Sequence, residues 1–297
     1  MSDAGPHSRQ VELSELSLHY WEWAGQGDAT PIVCLHPSGH YGRIWEWVAQ
    51  QLTPTYRVLA PDQRGHGDSG QPASGTAAED YAADVEALAE QLGLERFVLA
   101  GHSLGARTGM VYAALHPARV SHLVLVGGPH FSTLQPGADV EYWQNNARNT
   151  AARPRRQPSA AAAIDAVRAQ YPHFSQAALQ HIVQHNTRTL PNGGLEWKYD
   201  PAFVADGLTH ALDDLRPYAA RITCPVLILQ AEHSWELTPE RMPQVEAAFS
   251  SAAAVRRVTI PGAVGNLELE KPAEVAAAIR EWLGAASPLA AGTSGRA

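Results

Sequence analysis

The segment Gly101-His102-Ser103-Leu104-Gly105 sets a serine hydroxyl between two glycines, directly after the apolar run RFVLA and directly before the small-residue run LGARTG. In a strand–turn–helix setting of this kind a strained turn lifts the hydroxyl above the sheet edge, while glycines keep the turn clear of neighbouring backbone. The chemistry this suits is acyl transfer, with the oxygen attacking a carbonyl carbon and backbone N–H groups holding the oxyanion. The plainer alternative is a βα turn with an N-capping serine. Two further motifs, described below, favour the nucleophile.

Apolar runs alternate with amphipathic segments along the chain, the rhythm of a mostly parallel sheet. VELSEL and LSLHYWEWA read as an edge hairpin, followed by strands at PIVCLH (31–36), YRVLAP (56–61), RFVLAGH (96–102), HLVLVGG (122–128), PVLILQ (225–230) and VRRVTIP (255–261). Helices are expected near 41–52, over 79–92, directly after Ser103, and at EVAAAIREWLG. Between Gly128 and Cys224 the strand rhythm stops, and AAAIDAVRAQY and QAALQHIVQHN look helical. An insertion of this size reads as a cap that excludes water and shapes a pocket. The expected division is a flexible N-terminus over 1–9, an α/β core over 10–128 and 222–284, a helical cap over 129–221, and a disordered small-residue tail over 285–297.

A chain of 297 residues can close a large core. Its net charge of -8 and its lack of a basic run speak against nucleic acid as a partner. Lys198 and Lys271 are the only lysines, an arginine bias that fits GC-rich bacterial coding. Cys34 and Cys224 lie in or beside apolar runs, so buried free thiols are expected. MSDAGPHSRQ has no apolar signal region and no stretch has the length of a membrane span, which makes the cytoplasm the expected address. No cofactor, metal or membrane partner is expected; the partner is a small-molecule substrate.

Beyond GHSLG, the segment LHPSGHYGRIWEWV resembles an H-G-x-G oxyanion loop with its following helix, and APDQRGHGDSG and WKYDPAF are also familiar. On these motifs the chain resembles the α/β-hydrolase superfamily, over roughly residues 10 to 284. The resemblance implies a mostly parallel eight-stranded sheet flanked by helices, with a helical cap inserted after the sixth strand. It also implies Ser103 as nucleophile and an oxyanion hole built from the backbone N–H groups of Ser38 and Leu104. Pro37 stands where the family has glycine, but the donor falls one residue later. His36 reads as structural, while His40, His102, His130, Glu232 and Trp235 are candidates for the pocket wall.

The partners of the serine are missing. The family acid follows the strand matching PVLILQ in a G-E-x-D pattern; here QAEHSWELTPE puts Ser234 at that position. The family histidine lies in a pattern like G-A-G-H-N-L-x-L-E-K-P; here GAVGNLELEKP puts Gly265 there. Losing the histidine alone would strand a buried carboxylate at a cost of roughly 3–5 kcal/mol, which neutral Ser234 avoids. Gly265 also frees an imidazole's volume beside Ser103. Among possible stand-ins, His233 is the nearest to the vacated acid position, with Glu232 beside it; His130, His173, His181 and His185 are more distant. The four-residue spacing of His181 and His185 can bind metal, yet no third ligand is evident and a solvated helix face is the expectation. Glu268, near the vacated histidine position, reads as an active-site carboxylate or, more plainly, as a surface charge, and the surface charge is the expectation.

A retained elbow without its base leads us to expect non-hydrolytic chemistry on a small, largely apolar substrate: elimination, cyclisation or C–C lysis, with secondary-metabolite biosynthesis as the natural setting. The alternatives are an ester or lactone hydrolase using Ser103 with a relocated histidine, and a protein that binds a small ligand without changing it.

Overall fold

The computed structural model describes residues 5–25, 29–129, 138–234, 238 and 240–285. Eight strands form the main sheet: β1 (His7–Glu12), β2 (Ser17–Trp23), β3 (Ile32–Leu35), β4 (Val58–Pro61), β5 (Phe97–His102), β6 (Val120–Val126), and two later strands, β10 (Val226–Ala231) and β11 (Val255–Ile260). Their order is β1-β2-β4-β3-β5-β6-β10-β11. The first two strands form an antiparallel hairpin whose second strand also runs antiparallel to β4; all other pairs are parallel. Every residue of β3, β4, β5 and β10 is buried, as strands covered on both faces require. The hairpin begins at His7, inside the 1–9 stretch expected to be flexible, because pairing of His7 with Glu22 and Arg9 with Tyr20 ties that segment down.

Helices cover both faces. Residues of α1 (Glu46–Leu52) and α11 (Pro272–Ala285) pack on one side through Val48, Leu52, Ile279 and Trp282. On the other side α2 (Ala78–Gln91), α3 (Leu104–Leu115), a short α8 (Arg216–Ala219) and α9 (Met242–Ala248) contribute Leu88, Met110, Ala219 and Val245. Cys34 and Cys224 are buried free thiols, and burial raises Cys224 to about 11. No helix among the described residues is long and apolar enough to cross a membrane.

Between β6 and β10 the chain forms α4 (Ala138–Ala151), α5 (Ala160–Gln170), α6 (Gln176–Asn186) and α7 (Pro201–Thr209). This insertion is not wholly helical: β7 (Arg156–Gln157), β8 (Thr187–Thr189) and β9 (Leu195–Trp197) make a small antiparallel sheet in the order β7-β9-β8. Strands of two and three residues are too short to leave an alternating pattern in sequence. They are held by charge, since Arg156 and Arg188 both bond the single carboxylate of Glu196.

The insertion is latched to the core. Helix α6 buries Ala178, Leu179, Ile182 and Val183, and His181 lies on the same stripe, 8% exposed, instead of on the solvated face expected from its spacing. The Tyr41 hydroxyl donates to His181 Nδ1 at 2.7 Å, and His181 Nε2 donates to Glu46 at 3.0 Å. Arg43 grips the same carboxylate with two bonds of 2.8 Å.

Burial alone would raise the Glu46 carboxyl, but the bonds from His181 and Arg43 outweigh it and hold the group at about 2 against an ordinary 4.5. The folded value lies below the unfolded one. Its stabilisation is therefore complete above about pH 4.5 and is lost as the pH falls through about 2. In urea titrations at stepped pH, the stability advantage of the native protein over Glu46→Gln is expected to shrink across that window. A constant difference would contradict the latch.

Candidate active site

The site is built on the β5–α3 turn. Ser103 has φ 51° and ψ −110°, and among the described residues it is the one non-glycine with positive φ. Such a backbone is costly for an L-residue and persists only where packing over-determines it. Packing does so here. A Cβ at Gly101 would stand 2.2 Å from the Gly105 carbonyl oxygen, and one at Gly105 would stand 2.2 Å from that of Leu35. Both motif glycines are thus required by close backbone approach, and the elbow expected from sequence is present in geometry. Arg107 N–H bonds the Ser103 carbonyl at 3.0 Å, so the N–H groups of Leu104, Gly105 and Ala106 have no acceptor within the helix. They give the turn a partial positive charge.

Ser38 lies on the loop after β3, which is braced on both sides. His36 Nδ1 donates to the Pro37 carbonyl at 2.8 Å, and its Nε2 accepts from Gln63 N–H at 2.9 Å. The Gly39 N–H donates to His66 Nε2 at 3.0 Å, and Asn186 of α6 donates to the Gly39 carbonyl at 2.9 Å. Burial lowers both imidazoles, His66 to about 3, and so keeps them in the neutral form that can accept these bonds. His36 is structural, as its position suggested.

A cavity of about 590 Å³ opens above the elbow. Its floor includes Ser103, His102, Ser38 and His40; the insertion supplies Trp143, Trp197, Tyr171 and Tyr199. Ser234 and Gly265, the positions matching the family acid and histidine, both line it. The space at Gly265 is open: an added Cβ would meet nothing within 4 Å. The carboxylate of Glu270 accepts from Val264 N–H at 2.7 Å and Gly265 N–H at 2.9 Å, which sets this loop.

Among the described residues no hydrogen bond reaches the Ser103 hydroxyl. His233 is not a replacement. The turn from Ala231 to Ser234 and a bond from His233 N–H to the Ala263 carbonyl send its side chain outward, 62% exposed, off the cavity. Glu232, also expected in the pocket, is 52% exposed and accepts from Gly262 N–H at 2.8 Å. His130 and Trp235 lie outside the described residues. His173 pairs with Glu270 at 3.3 Å. His40 does line the cavity and is 5% exposed; burial holds it well below its ordinary value.

Ligand-type atoms of Glu46, His181 and His185 lie within 4.8 Å of one another, so a third group does stand near the histidine pair. Both oxygens of Glu46 are already gripped by Arg43, and both ring nitrogens of His181 are bonded within the protein. These donors serve the latch.

The unforeseen feature is at His102. Its Nδ1 lies 2.8 Å from Glu268 Oε1, with side chains 8% and 0% exposed. Glu268, expected to be a surface charge, sits in a four-residue helix, α10 (Leu267–Glu270), that buries Leu267, Glu268 and Leu269 together. The other oxygen of Glu268 is buried without a partner. With the carboxylate ionised, the Nδ1–H donates. A histidine–carboxylate pair thus borders the cavity beside the serine, with the histidine on the elbow and the acid on the segment that in the family carries the histidine.

This sheet order, this elbow and this inserted lid define one fold class. A family model described as the alpha/beta hydrolase fold matches residues 30–264, and the chain belongs to that family. The chain is 28% identical over 229 residues to 2-(acetamidomethylene)succinate hydrolase of Mesorhizobium japonicum, covering 76% of this chain and 78% of that protein. It is 30% identical over 220 residues to esterase Rv0045c of Mycobacterium tuberculosis, covering 73% and 71%. The solved structure of an E-2-(acetamidomethylene)succinate hydrolase superposes with a TM-score of 0.83 at 25% identity, covering 94% of this chain and 99% of that one. These relatives are hydrolases, which supports an enzyme here and weighs against the lyase expectation.

Removing the imidazole strands the buried carboxylate that it bonds. His102→Ala is expected to cost about 3–5 kcal/mol in urea denaturation. The double variant His102→Ala/Glu268→Leu, which removes the stranded charge, is expected to be more stable than His102→Ala alone. A single variant as stable as the native protein would show that the pair is not charged.

Proposed function

We propose that this chain hydrolyses a small acyl substrate (an ester, lactone or amide) at Ser103, with His102 as the relocated base and Glu268 as its carboxylate. The observation that carries this reading is the buried His102–Glu268 pair beside the elbow, with His102 on the wall of the same cavity and Glu268 buried behind it. A carboxylate on Nδ1 holds the ring in the tautomer whose Nε2 can take a proton, and it stabilises the imidazolium that forms. The hydrolase relatives support the same reaction class.

In this mechanism the Ser103 oxygen bonds the acyl carbon while its proton passes, through a water seated in the space at Gly265, to His102 Nε2. The oxyanion rests on the N–H groups of Ser38 and Leu104. Collapse breaks the bond to the leaving alcohol or amine, which takes the proton from the imidazolium. A second water, losing its proton to His102 by the same route, attacks the acyl-serine. Acid is released and Ser103 regains its proton. No cofactor is called on, and the compartment in this reading is the cytoplasm.

A second reading has one observation in its favour, the Ser103 hydroxyl without a hydrogen-bonded base among the described residues. In it, His102 takes a proton from the substrate itself, and elimination, cyclisation or C–C cleavage follows with no acyl-enzyme.

Fluorophosphonate labelling and turnover of an ester and lactone panel separate the two. Hydrolysis predicts labelling at Ser103, loss of turnover in Ser103→Ala, and a drop of about 10²–10⁴-fold in His102→Gln. Undiminished hydrolysis by His102→Gln would remove His102 from the mechanism. An unlabelled, ester-inert native protein would favour the second reading.

A further inference from the structure

Arg153, between α4 and β7, lines the cavity and is half-buried. Its positive charge bears on the hydroxyl of Tyr199, a cavity residue that is 7% exposed, and opposes the rise that burial imposes there. Neighbouring arginines have acidic partners: Arg155 meets Glu196 and Asp200, Arg156 and Arg188 meet Glu196, and Arg168 meets Asp165. Arg153 has no ion pair among the described residues.

The rest of the wall sharpens the contrast. The chain carries 30 Asp and Glu against 22 Lys and Arg. Yet among the described residues lining the cavity there is no carboxylate, and Arg153 is the one arginine or lysine. Of the two cavity histidines, His102 is bonded to the buried Glu268 carboxylate, and His40 adds no positive charge, because burial holds it well below its ordinary value and Arg153 pushes the same way. In a wall so composed, one cation with a planar, two-pronged donor face is set for a monoanion of matching shape. A half-buried guanidinium is costly without a counter-charge, and none pairs with it among the described residues.

We infer that Arg153, on the cavity wall with Tyr199, binds a carboxylate carried by the substrate, so that the natural substrates are small organic acids bearing a second, reactive acyl group. The anion site stands on the cavity alone; the placing of the acyl group over Ser103 rests on the hydrolase reading. The hydrocarbon between the two ends lies against Trp143, Trp197, Val167 and Ile182. This departs from the largely apolar substrate expected from sequence: the middle of the ligand is apolar, and one end is charged.

Binding can be read without turnover in the Ser103→Ala protein. Isothermal titration with the monomethyl esters of succinate, glutarate and adipate, each against its dimethyl ester, tests the charge alone. At least one monoacid is expected to bind tenfold or more tightly than its diester. Adding Arg153→Gln is expected to abolish that preference, and Arg153→Lys to restore part of it, because a lysine keeps the charge but loses the fork. Equal affinity of monoacid and diester throughout the series, no binding of any monoacid at millimolar concentration, or a preference that survives Arg153→Gln would each overturn the inference. Turnover of the same esters by the native protein judges the hydrolase reading separately. An acid that binds through Arg153 but is not hydrolysed leaves the anion site standing and removes the hydrolysis.

Discussion

One close crossing governs this molecule: α3 leaves β5 so near β3 that neither Gly101 nor Gly105 has room for a side chain. The crossing forces the turn between them into a backbone that a serine does not adopt freely, φ 51° at Ser103. It aims the unsatisfied N–H groups of the α3 N-terminus at the place where Ser103 is held. It also fixes His102 at the end of a fully buried strand, where a side chain turns toward the loops that follow the other parallel strands. Those loops bring Ser38, Ser234, Gly265 and Glu268 to one end of the sheet, as expected for ligand sites outside the carboxyl ends of parallel strands.

The chemistry rests on how the protein treats buried charge. Residues 234 and 265, on the cavity wall, are neutral, while a buried carboxylate and an imidazole meet beside the elbow from other positions. Around them, His36, His40 and His66 are held neutral by burial. Asp62 shows the opposite case. Burial alone would raise it, but bonds from His19 and from the N–H groups of Gly42 and Asp68 hold it low and ionised. Structural carboxylates in this chain are satisfied on several sides, whereas Glu268 has one bond and an oxygen without a partner.

The insertion is coupled to the floor of the site through two contacts of different character. The Tyr41–His181–Glu46 chain anchors α6 to the start of α1 by charge. The Asn186 bond to the Gly39 carbonyl touches the loop that carries Ser38. Through the second contact the position of the insertion bears directly on the orientation of a backbone donor, so substrate enclosure and oxyanion support belong to one structural unit. Arg153 and Tyr199 belong to the same wall, where Arg153 is the one arginine or lysine among the described lining residues.

Amino-acid order alone was enough for whatever depends on near neighbours. Runs of apolar residues spaced by amphipathic helices defined the eight-stranded sheet, and two glycines around a serine defined the elbow, because these patterns follow from local backbone geometry and burial period. The same reasoning failed where partners come from afar. His233 was chosen for standing one residue from the empty acid position, but a tight turn sends it to solvent. Glu268, near the vacated histidine position, reads first as a surface charge, whereas a single helical turn buries three successive residues. Its partner His102 lies 166 residues away. Arg153 belongs to no motif in the sequence, and only the packing of the insertion over the sheet brings it to the cavity wall. Local order decides which segments become strands and turns; which side chains share a cavity is settled by packing between distant segments, and no spacing along the chain encodes that.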